Sequence, residues 1–325
     1  MTARSARVRA LAKVNLELRV LARRSDGYHE LRTVFQTISL ADTIDIAFTP
    51  ARRTAISVTA DVEIPDGNIM ERAAALALEA MRTAGRVEMR LRKRIPMGAG
   101  LGGGSSDAAA VLLALPVLAG KTLAPAKLMD VAAALGSDVP FFLLGGTAVG
   151  LGRGTEIYPL PDRPAAFGLV VAPGIHVSTA DAYRDLDGGA KAGATACPTD
   201  LISGAAQSII SVFQSSVWEQ GWRSSESLGS NDFEAVVFAR YPRLKALKRQ
   251  LERLGATPAM LSGSGSALFG VFRERAQAGR AREVLGKEQS LPIRFVTRAS
   301  YRARWWRDLG AHLAEKVWPP QSRYA

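Results

Sequence analysis

The chain has 325 residues, of which 47% are hydrophobic and 22% are charged, and its formal net charge is +12. This composition is typical of a globular protein, and the length is sufficient for two lobes around a large core. The positive charge indicates either a solvated, arginine-rich surface or attraction to polyanions, nucleic acid or a phosphate-rich substrate, and does not discriminate between them. A single cysteine, Cys197, excludes an internal disulfide.

The apolar segments of the chain favour neither export nor membrane insertion. The first residues are positively charged but no apolar segment follows them, which is not typical of a signal peptide. The most apolar run, residues 139–151, is too short to span a bilayer and contains Gly145 and Gly146. We therefore expect a cytoplasmic protein.

The first sixty residues are predicted to be mostly strand, from alternating apolar and polar side chains and from β-rich composition. The segment Lys13-Val14-Asn15 separates the first two strands, and the turn Asp26-Gly27 is followed by Tyr28-His29. The predicted strands are residues 6–12, 16–20, 31–40, 44–48 and 56–58. A helix is predicted next over residues 69–80, with Asn68 as its N-cap.

A glycine-rich segment, residues 98–104, lies between an alternating strand at residues 87–92 and an Ala/Leu-rich helix at residues 107–118. Ser105 or Ser106 is the expected N-cap of that helix. Glycines allow positive φ and close approach to a ligand, and the helix N-terminus attracts anions. Serine hydroxyls can bond phosphate or bind Mg²⁺. The pattern predicts a phosphate-binding loop.

Three other interpretations of this segment are weaker. A flexible linker would not open into an apolar helix. A Walker A loop requires Gly-Lys-Ser/Thr, and no lysine lies between Arg94 and Lys121. The dinucleotide fingerprint fits three of the glycines, but the acidic residue it needs about 20 positions later is replaced by Leu123.

Asp138 follows a helix predicted over residues 125–135 and precedes Val139-Pro140-Phe141-Phe142, which we interpret as the start of an apolar strand. One interpretation is an aspartate that caps a turn. The other is a partly desolvated carboxylate that accepts a proton from an attacking hydroxyl. Residue patterns alone leave both open.

Prolines cluster near residue 160, where we place a boundary between a mixed α+β part and an α/β part with fewer strands. Residues 187–200 are expected to form a loop, and residues 261–270 a Gly/Ser turn. The other predicted elements are a strand at residues 167–172, helices at 202–222, 233–240, 242–254 and 274–287, and a strand at 293–297.

The motifs together resemble those of the GHMP kinases, which include galactokinase and homoserine, mevalonate and phosphomevalonate kinases. The glycine string from Pro96 to Ala109 resembles their ATP-phosphate loop. Ala12-Lys13-Val14-Asn15-Leu16 and the segment Gly136 to Phe141 resemble two further family motifs. Asp26-Gly27-Tyr28-His29 is similar to a segment found in one branch of the family. That branch phosphorylates the 2-hydroxyl of a cytidine diphosphate-linked methylerythritol in non-mevalonate isoprenoid biosynthesis.

The resemblance extends over residues 8–297 and implies a two-lobed α+β fold. We expect an N-terminal mixed β-sheet lobe with helices (residues 1–160), a C-terminal ferredoxin-like α/β lobe (161–300) and an active site in the cleft between them. The basic aromatic tail, residues 301–325, extends beyond the usual family length. It is either a helix packed on the body or a docking segment for polyanions.

The resemblance also implies the site residues. Lys13 would stabilise the transferring charge or lower the pKa of the hydroxyl, and Asp138 would be the base. Asn15, Tyr28, His29, Thr179 and Tyr183 would bind the substrate, with Tyr28 and Tyr183 stacking on the pyrimidine. ATP would be bound by a larger set: Asn68, Pro96, Met97, Gly98, Ala99, Gly100, Leu101, Gly102, Gly103, Gly104, Ser105 and Ser106.

The implied cofactors are ATP and Mg²⁺, with Ser105 as the candidate metal ligand. Asn68 is either part of the adenine pocket or a helix cap, and both roles are compatible. We expect a monomer or homodimer that acts on a small molecule, without a membrane or nucleic-acid partner. The alternatives are another GHMP kinase, of homoserine or mevalonate type, and a basic nucleic-acid-binding protein.

Overall fold

The computed structural model describes residues 2–64, 67–189, 230–286 and 290–325. Its strands form two sheets, and helices pack on both. The strands are β1 Arg4–Arg23, β2 His29–Pro50, β3 Ala55–Ala60, β4 Gly85–Arg92, β5 Thr147–Gly152, β6 Glu156–Pro159, β7 Phe167–Val171, β8 Ala259–Leu261, β9 Leu268–Phe272 and β10 Ser290–Arg294. The helices are α1 Ile69–Ala80, α2 Gly103–Ala119, α3 Pro125–Leu135, α4 Val139–Leu144, α5 Thr179–Gly189, α6 Phe233–Arg240, α7 Pro242–Arg253, α8 Arg275–Leu285 and α9 Arg298–Asp308, followed by a short 3₁₀ turn, Gly310–His312.

The first sheet has the order β3-β4-β2-β5-β6, with β1 paired to β2. Only the β3–β4 pair is parallel among its described pairings. The second sheet has the order β10-β7-β9-β8 and is antiparallel. Two sheets with helices confirm the expected two-lobed α+β fold.

The two sheets share part of one core. Val14 and Leu16 of β1 pack in the same buried cluster as Val170 of β7 and Phe269 of β9. β1 therefore belongs to the first sheet by hydrogen bonding and contacts the second through its side chains.

The predicted break in β1 is wrong. Lys13, Val14 and Asn15 lie inside one continuous strand, and register shifts occur on either side, between Leu11 and Lys13 and between Asn15 and Glu17. Residues 10–16 are all buried, so the alternation that marks a half-buried strand is lost there. Residues 29–50 also form one strand, β2, because the inward position between the two predicted strands is occupied by Asp42, a buried charged residue that breaks the apolar pattern.

Two helix predictions also need correction. α2 begins at Gly103 rather than Asp107, after Gly102 at φ 70°, so Ser105 and Ser106 lie in its first turn and cap nothing. Asp138 precedes a helix, α4, and the apolar strand β5 begins only at Thr147. A short apolar run does not distinguish strand from helix, and Pro140 suits a first helical turn.

Most other element predictions are confirmed within about two residues, apart from the last strand. α1 begins after Asn68 as expected, and its side chain accepts hydrogen bonds from the backbone of Met70 and Glu71. The last strand covers residues 290–294 rather than 293–297. Residues 187–189, expected in a loop, belong to α5. The rest of that loop and the helix at residues 202–222 lie outside the described residues.

The C-terminal tail packs on the first lobe. Tyr301 and Trp305 are buried in the core with α2 and α4. The indole of Trp318 donates a 2.9 Å hydrogen bond to the carbonyl of Leu143, and the hydroxyl of Ser322 donates one of 2.7 Å to Val117. These contacts agree with the interpretation of the tail as a helix packed on the body of the protein. No helix in the described ranges is long and apolar enough to cross a membrane.

Candidate active site

Lys13 and Asp138 meet at the wall of a cavity of about 1040 Å³. The Lys13 Nζ lies 3.2 Å from Asp138 Oδ2. Lys13 is 3% exposed, whereas the Asp138 side chain is 31% exposed, so the carboxylate faces the cavity more openly than the ammonium does. A buried ammonium next to a partly exposed carboxylate is suited to hold an acceptor hydroxyl.

Asn15 fixes the Lys13 side chain. The Lys13 ammonium donates a 2.7 Å hydrogen bond to Asn15 Oδ1, and Asn15 Nδ2 donates one of 2.7 Å to the Thr33 hydroxyl. Thr33 in turn donates to the carbonyl of Glu17. Asn15 and Thr33 also line the cavity. Asn15 is one of the predicted substrate-binding residues, whereas nothing in the sequence indicated Thr33.

The glycine-rich loop passes directly beside Lys13. The Lys13 amide donates a 3.0 Å hydrogen bond to the carbonyl of Leu101. A Cβ at Gly102 would lie 2.8 Å from the Phe142 ring and 3.1 Å from Lys13 Cγ, and one at Gly100 would lie 2.0 Å from the Ser262 carbonyl oxygen. Gly98, Gly100 and Gly102 also have positive φ, between 64° and 77°. Glycine is therefore required at Gly100 and Gly102 by crowding as well as by backbone conformation, and is favoured at Gly98 by conformation alone.

The N-terminus of α2 opens at the end of this loop. In the described part of the chain no side chain caps it. Its first N–H groups are therefore available to an anion, and the helix dipole favours negative charge there.

Ser105 and Ser106 differ in what they can offer a ligand. Ser106 is 2% exposed, its hydroxyl donates to the carbonyl of Leu11 at 2.7 Å, and its amide donates to Gly102. The prediction that Ser106 binds phosphate is thus not supported, because both of its donors are used within the fold. Ser105 is half-buried and lines two cavities, the large one and a second on the other side of the loop.

The second cavity has a volume of about 500 Å³. Asn68 lies in its wall while also capping α1, so its two proposed roles are compatible. The remaining predicted ATP-binding residues, apart from Ser106, line the same cavity: Pro96, Met97, Gly98, Ala99, Gly100, Leu101, Gly102, Gly103, Gly104 and Ser105.

A turn of the second lobe holds the glycine loop from the other side. The Ser262 hydroxyl donates a 2.9 Å hydrogen bond to the Gly100 carbonyl, and the Ala267 amide donates one of 3.1 Å to the Ala99 carbonyl. Asn231 secures this turn by donating to the carbonyls of Leu261 and Gly263. The Gly/Ser turn predicted at residues 261–270 therefore lies beside the predicted phosphate loop.

Part of the wall of the large cavity is aromatic. The rings of His29 and Tyr183 stack with centroids 4.5 Å apart, and His29 Nε2 lies 2.8 Å from Asp187 Oδ1. Burial raises the pKa of Tyr183 to about 12, and the negative charge of Asp138 adds to that shift. His29 and Tyr183 thus form one wall, and the spacing leaves no room for a pyrimidine between them.

Tyr28 lies at the mouth of the same cavity and is 51% exposed. The Arg153 guanidinium lies 3.4 Å from the centroid of its ring. Arg153 and Asp187 are the residues that sequence reasoning missed. Arg153 lies in a glycine-containing turn that matches no functional motif, and Asp187 lies where a loop was expected. Thr179 is placed in the cavity wall and exchanges a 2.8 Å hydrogen bond with Ser264.

Comparison with known proteins identifies the family of this chain. Residues 68–146 match the model for the GHMP kinases N terminal domain, and residues 220–290 match that for GHMP kinases C terminal. A 4-diphosphocytidyl-2-C-methyl-D-erythritol kinase of Solibacter usitatus is 58% identical over 323 residues, which is 99% of each chain. The chain belongs to the 4-diphosphocytidyl-2-C-methyl-D-erythritol kinases, a family of GHMP kinases.

Other relatives support the same assignment. The protein of that name from Moorella thermoacetica is 41% identical over 89% of this kinase and 97% of its own length. A crystal structure of 4-(cytidine 5'-diphospho)-2C-methyl-D-erythritol kinase has a TM-score of 0.72 at 37% identity, covering 89% of this kinase and 98% of that chain. A homoserine kinase from Cytophaga hutchinsonii, with a TM-score of 0.62, 17% identity and coverage of 90% and 95%, shows the shared fold alone.

Proposed function

We propose that this kinase transfers the γ-phosphoryl group of ATP to the 2-hydroxyl of 4-diphosphocytidyl-2-C-methyl-D-erythritol, giving the 2-phosphate and ADP. This is a step of non-mevalonate isoprenoid precursor biosynthesis. The observation that carries the proposal is the Lys13–Asp138 pair in the large cavity. The glycine loop lies next to this pair, between the large cavity and the smaller one. Relatives of the same name at 58% and 41% identity favour this substrate over homoserine or mevalonate.

We assign the two cavities to the two substrates. The smaller cavity, with Asn68 and the glycine loop, would hold ATP, and its phosphates would meet the free amides of the loop and of α2. The larger cavity would hold the cytidyl substrate, with the methylerythritol end at Asp138 and the cytosine near Tyr28, His29 and Tyr183. Gly100 and Ser105 line both, so the γ-phosphate would reach the acceptor at that point.

The transfer itself forms a bond between the acceptor oxygen and the γ-phosphorus and breaks the bond to the β-phosphate bridging oxygen. Asp138 would orient the hydroxyl and take its proton, while the Lys13 ammonium would stabilise negative charge on the phosphoryl oxygens. Because Asn15 and the Leu101 carbonyl hold Lys13 in place, little reorganisation is required at the moment of reaction.

Mg²⁺ fits this site mainly through the nucleotide. The described residues contain no cluster of three or more His, Cys, Asp or Glu side chains that could hold a metal ion. Ser105, which lines both cavities, is the candidate protein ligand, and phosphate oxygens and water would supply the rest. The ion would neutralise phosphate charge during transfer.

A direct test is to measure ADP release from ATP with a panel of alcohols: the cytidyl substrate, homoserine and mevalonate. We expect turnover with the first and competitive inhibition of that turnover by CDP. Turnover with homoserine or mevalonate at a comparable kcat/KM would contradict the proposal.

A further inference from the structure

A buried group of charged side chains lies on the opposite side of the glycine loop from Lys13 and Asp138. Asp42, in β2, is fully buried. Its Oδ1 accepts hydrogen bonds from the amides of Arg94 at 2.5 Å and Ile95 at 2.8 Å. Those two residues come directly before the loop, so the Asp42 carboxylate fixes the point at which the chain enters it.

Lys93 extends this group to the other end of the loop. Its Nζ donates to Asp42 Oδ2 at 2.5 Å and to Asp107 Oδ2 at 3.0 Å. Asp107 lies in the second turn of α2, just after the loop, and is 2% exposed. The group Asp42–Lys93–Asp107 therefore links the entry and exit of the loop through one ammonium.

The ammonium also lies close to the loop backbone. A Cβ built at Gly103 would be 3.1 Å from Lys93 Nζ. Lys93 and Asp107 line the smaller cavity, whereas Lys13 and Asp138 line the larger one. The group can therefore affect the nucleotide side of the site without contacting the acceptor hydroxyl.

The hydrogen bonds of the two carboxyl groups differ, and the difference supports a role for Asp42. Asp42 accepts three hydrogen bonds from Lys93, Arg94 and Ile95. Asp107 Oδ1 has no hydrogen-bond partner among the residues that the structure describes. Of the two carboxyl groups, Asp42 is therefore the one that both Lys93 and the backbone at the loop entry engage fully.

We propose that Asp42 is a positioning residue for ATP: through Lys93 and the Arg94 and Ile95 amides, it holds both ends of the glycine loop in the conformation that binds the phosphates. The inference rests on the proposed binding of ATP by this loop. In the described part of the chain Asp42 lines neither cavity, so the loop amides, and not Asp42, would contact the nucleotide.

The test compares Asp42→Asn with wild type in steady-state kinetics, varying ATP and the cytidyl substrate separately. The substitution keeps the shape but removes the charge that pairs with Lys93. We expect the KM for ATP and the dissociation constant of ADP to rise about tenfold, while the KM for the cytidyl substrate stays within about twofold. A merely structural role would lower the melting temperature and leave the KM for ATP of the folded enzyme unchanged.

Asp45→Asn is the matched control. Asp45 lies three positions further along β2 and pairs with Arg7 and Arg92 at the surface, so the same substitution there breaks ion pairs without reaching the loop. Asp107→Ala is the second variant if Asp42→Asn does not fold, since it removes the contact of Lys93 with α2 and leaves those of Asp42 with Arg94 and Ile95, and we expect a rise of about threefold in the KM for ATP.

An unchanged KM for ATP in folded Asp42→Asn, or in Asp107→Ala if only that variant folds, would overturn the inference. Equal rises in both Michaelis constants would overturn it as well. Failure of the proposed function is recognised separately, because wild-type enzyme would then show no ATP-dependent turnover of the cytidyl substrate.

Discussion

The Nζ of Lys13 lies 3.2 Å from Oδ2 of Asp138, although Lys13 belongs to β1 and Asp138 to the start of α4. The glycine loop passes beside the pair, since Lys13 also donates its amide to Leu101. Lys13 therefore contacts the expected proton acceptor through its side chain and the expected phosphate-binding loop through its backbone.

Replacing Asp138 tests the chemistry of this pair. We expect Asp138→Asn to reduce kcat by about two to four orders of magnitude, because the amide cannot accept the proton of the hydroxyl. The dissociation constant of ATP should stay near that of wild type. Asp130→Asn, at an exposed position of α3, is the control. Unchanged turnover in Asp138→Asn would remove Asp138 from the mechanism.

Tyr28 provides a test of the pyrimidine end. We expect Tyr28→Ala to raise the KM for the cytidyl substrate and not that for ATP, since its exposed ring lies in the large cavity alone. Tyr158→Ala removes another tyrosine of similar exposure, 43%, that lines neither cavity. Equal effects of Tyr28→Ala on both Michaelis constants would count against this assignment.

The glycine loop can be tested through stability. Gly100→Ala places a Cβ 2.0 Å from the Ser262 carbonyl oxygen at a positive φ. We expect a loss on the order of 2 kcal/mol or more in the free energy of unfolding. Gly104→Ala, whose Cβ would have only Ile69 at 3.7 Å, should be tolerated in the same denaturation experiment. Similar losses in both variants would show that the crowding at Gly100 is relieved by local movement.

Two neighbouring tryptophans in α9 test the packing of the tail. Trp305 is 3% exposed and belongs to the core of the first lobe, whereas Trp306 is half-buried and donates to the Val317 carbonyl. We expect Trp305→Ala to cost about 3 kcal/mol or more of unfolding free energy and Trp306→Ala clearly less. A smaller loss for Trp305→Ala than for Trp306→Ala, by urea denaturation, would be inconsistent with a tail that forms part of the core.

The raised pKa of Asp107 predicts how the free energy of unfolding depends on pH. Its pKa is raised from 3.8 to about 8 in the folded protein, chiefly by burial. The folded state therefore binds more protons than the unfolded state between these values, and this carboxyl contributes stability at low pH that is lost as pH rises toward 8. Asp107→Asn should flatten this part of the curve when unfolding is measured from pH 5 to pH 8. A slope equal to that of wild type would contradict the shift.

The sequence predicts the parts of the site that depend on local backbone chemistry. The glycine loop, the cap at Asn68 and the helix at residues 69–80 follow from residue types and spacing, and resemblance to a family added Lys13 and Asp138. The course of β1 could not be predicted, since burial on both faces removes the alternating pattern. Pairs such as His29 with Tyr183, or Asp42 with Lys93, depend on which strands and helices become neighbours in space.

The hydrogen bonds from Ser262 and Ala267 to the carbonyls of Gly100 and Ala99 have a consequence for motion. A hinge movement of the C-terminal lobe would pull directly on the loop that lies between the two cavities. Occupation of the cytidyl cavity, which both lobes line, would then alter the affinity for nucleotide, and linkage requires the nucleotide to alter the affinity for the cytidyl compound by the same factor.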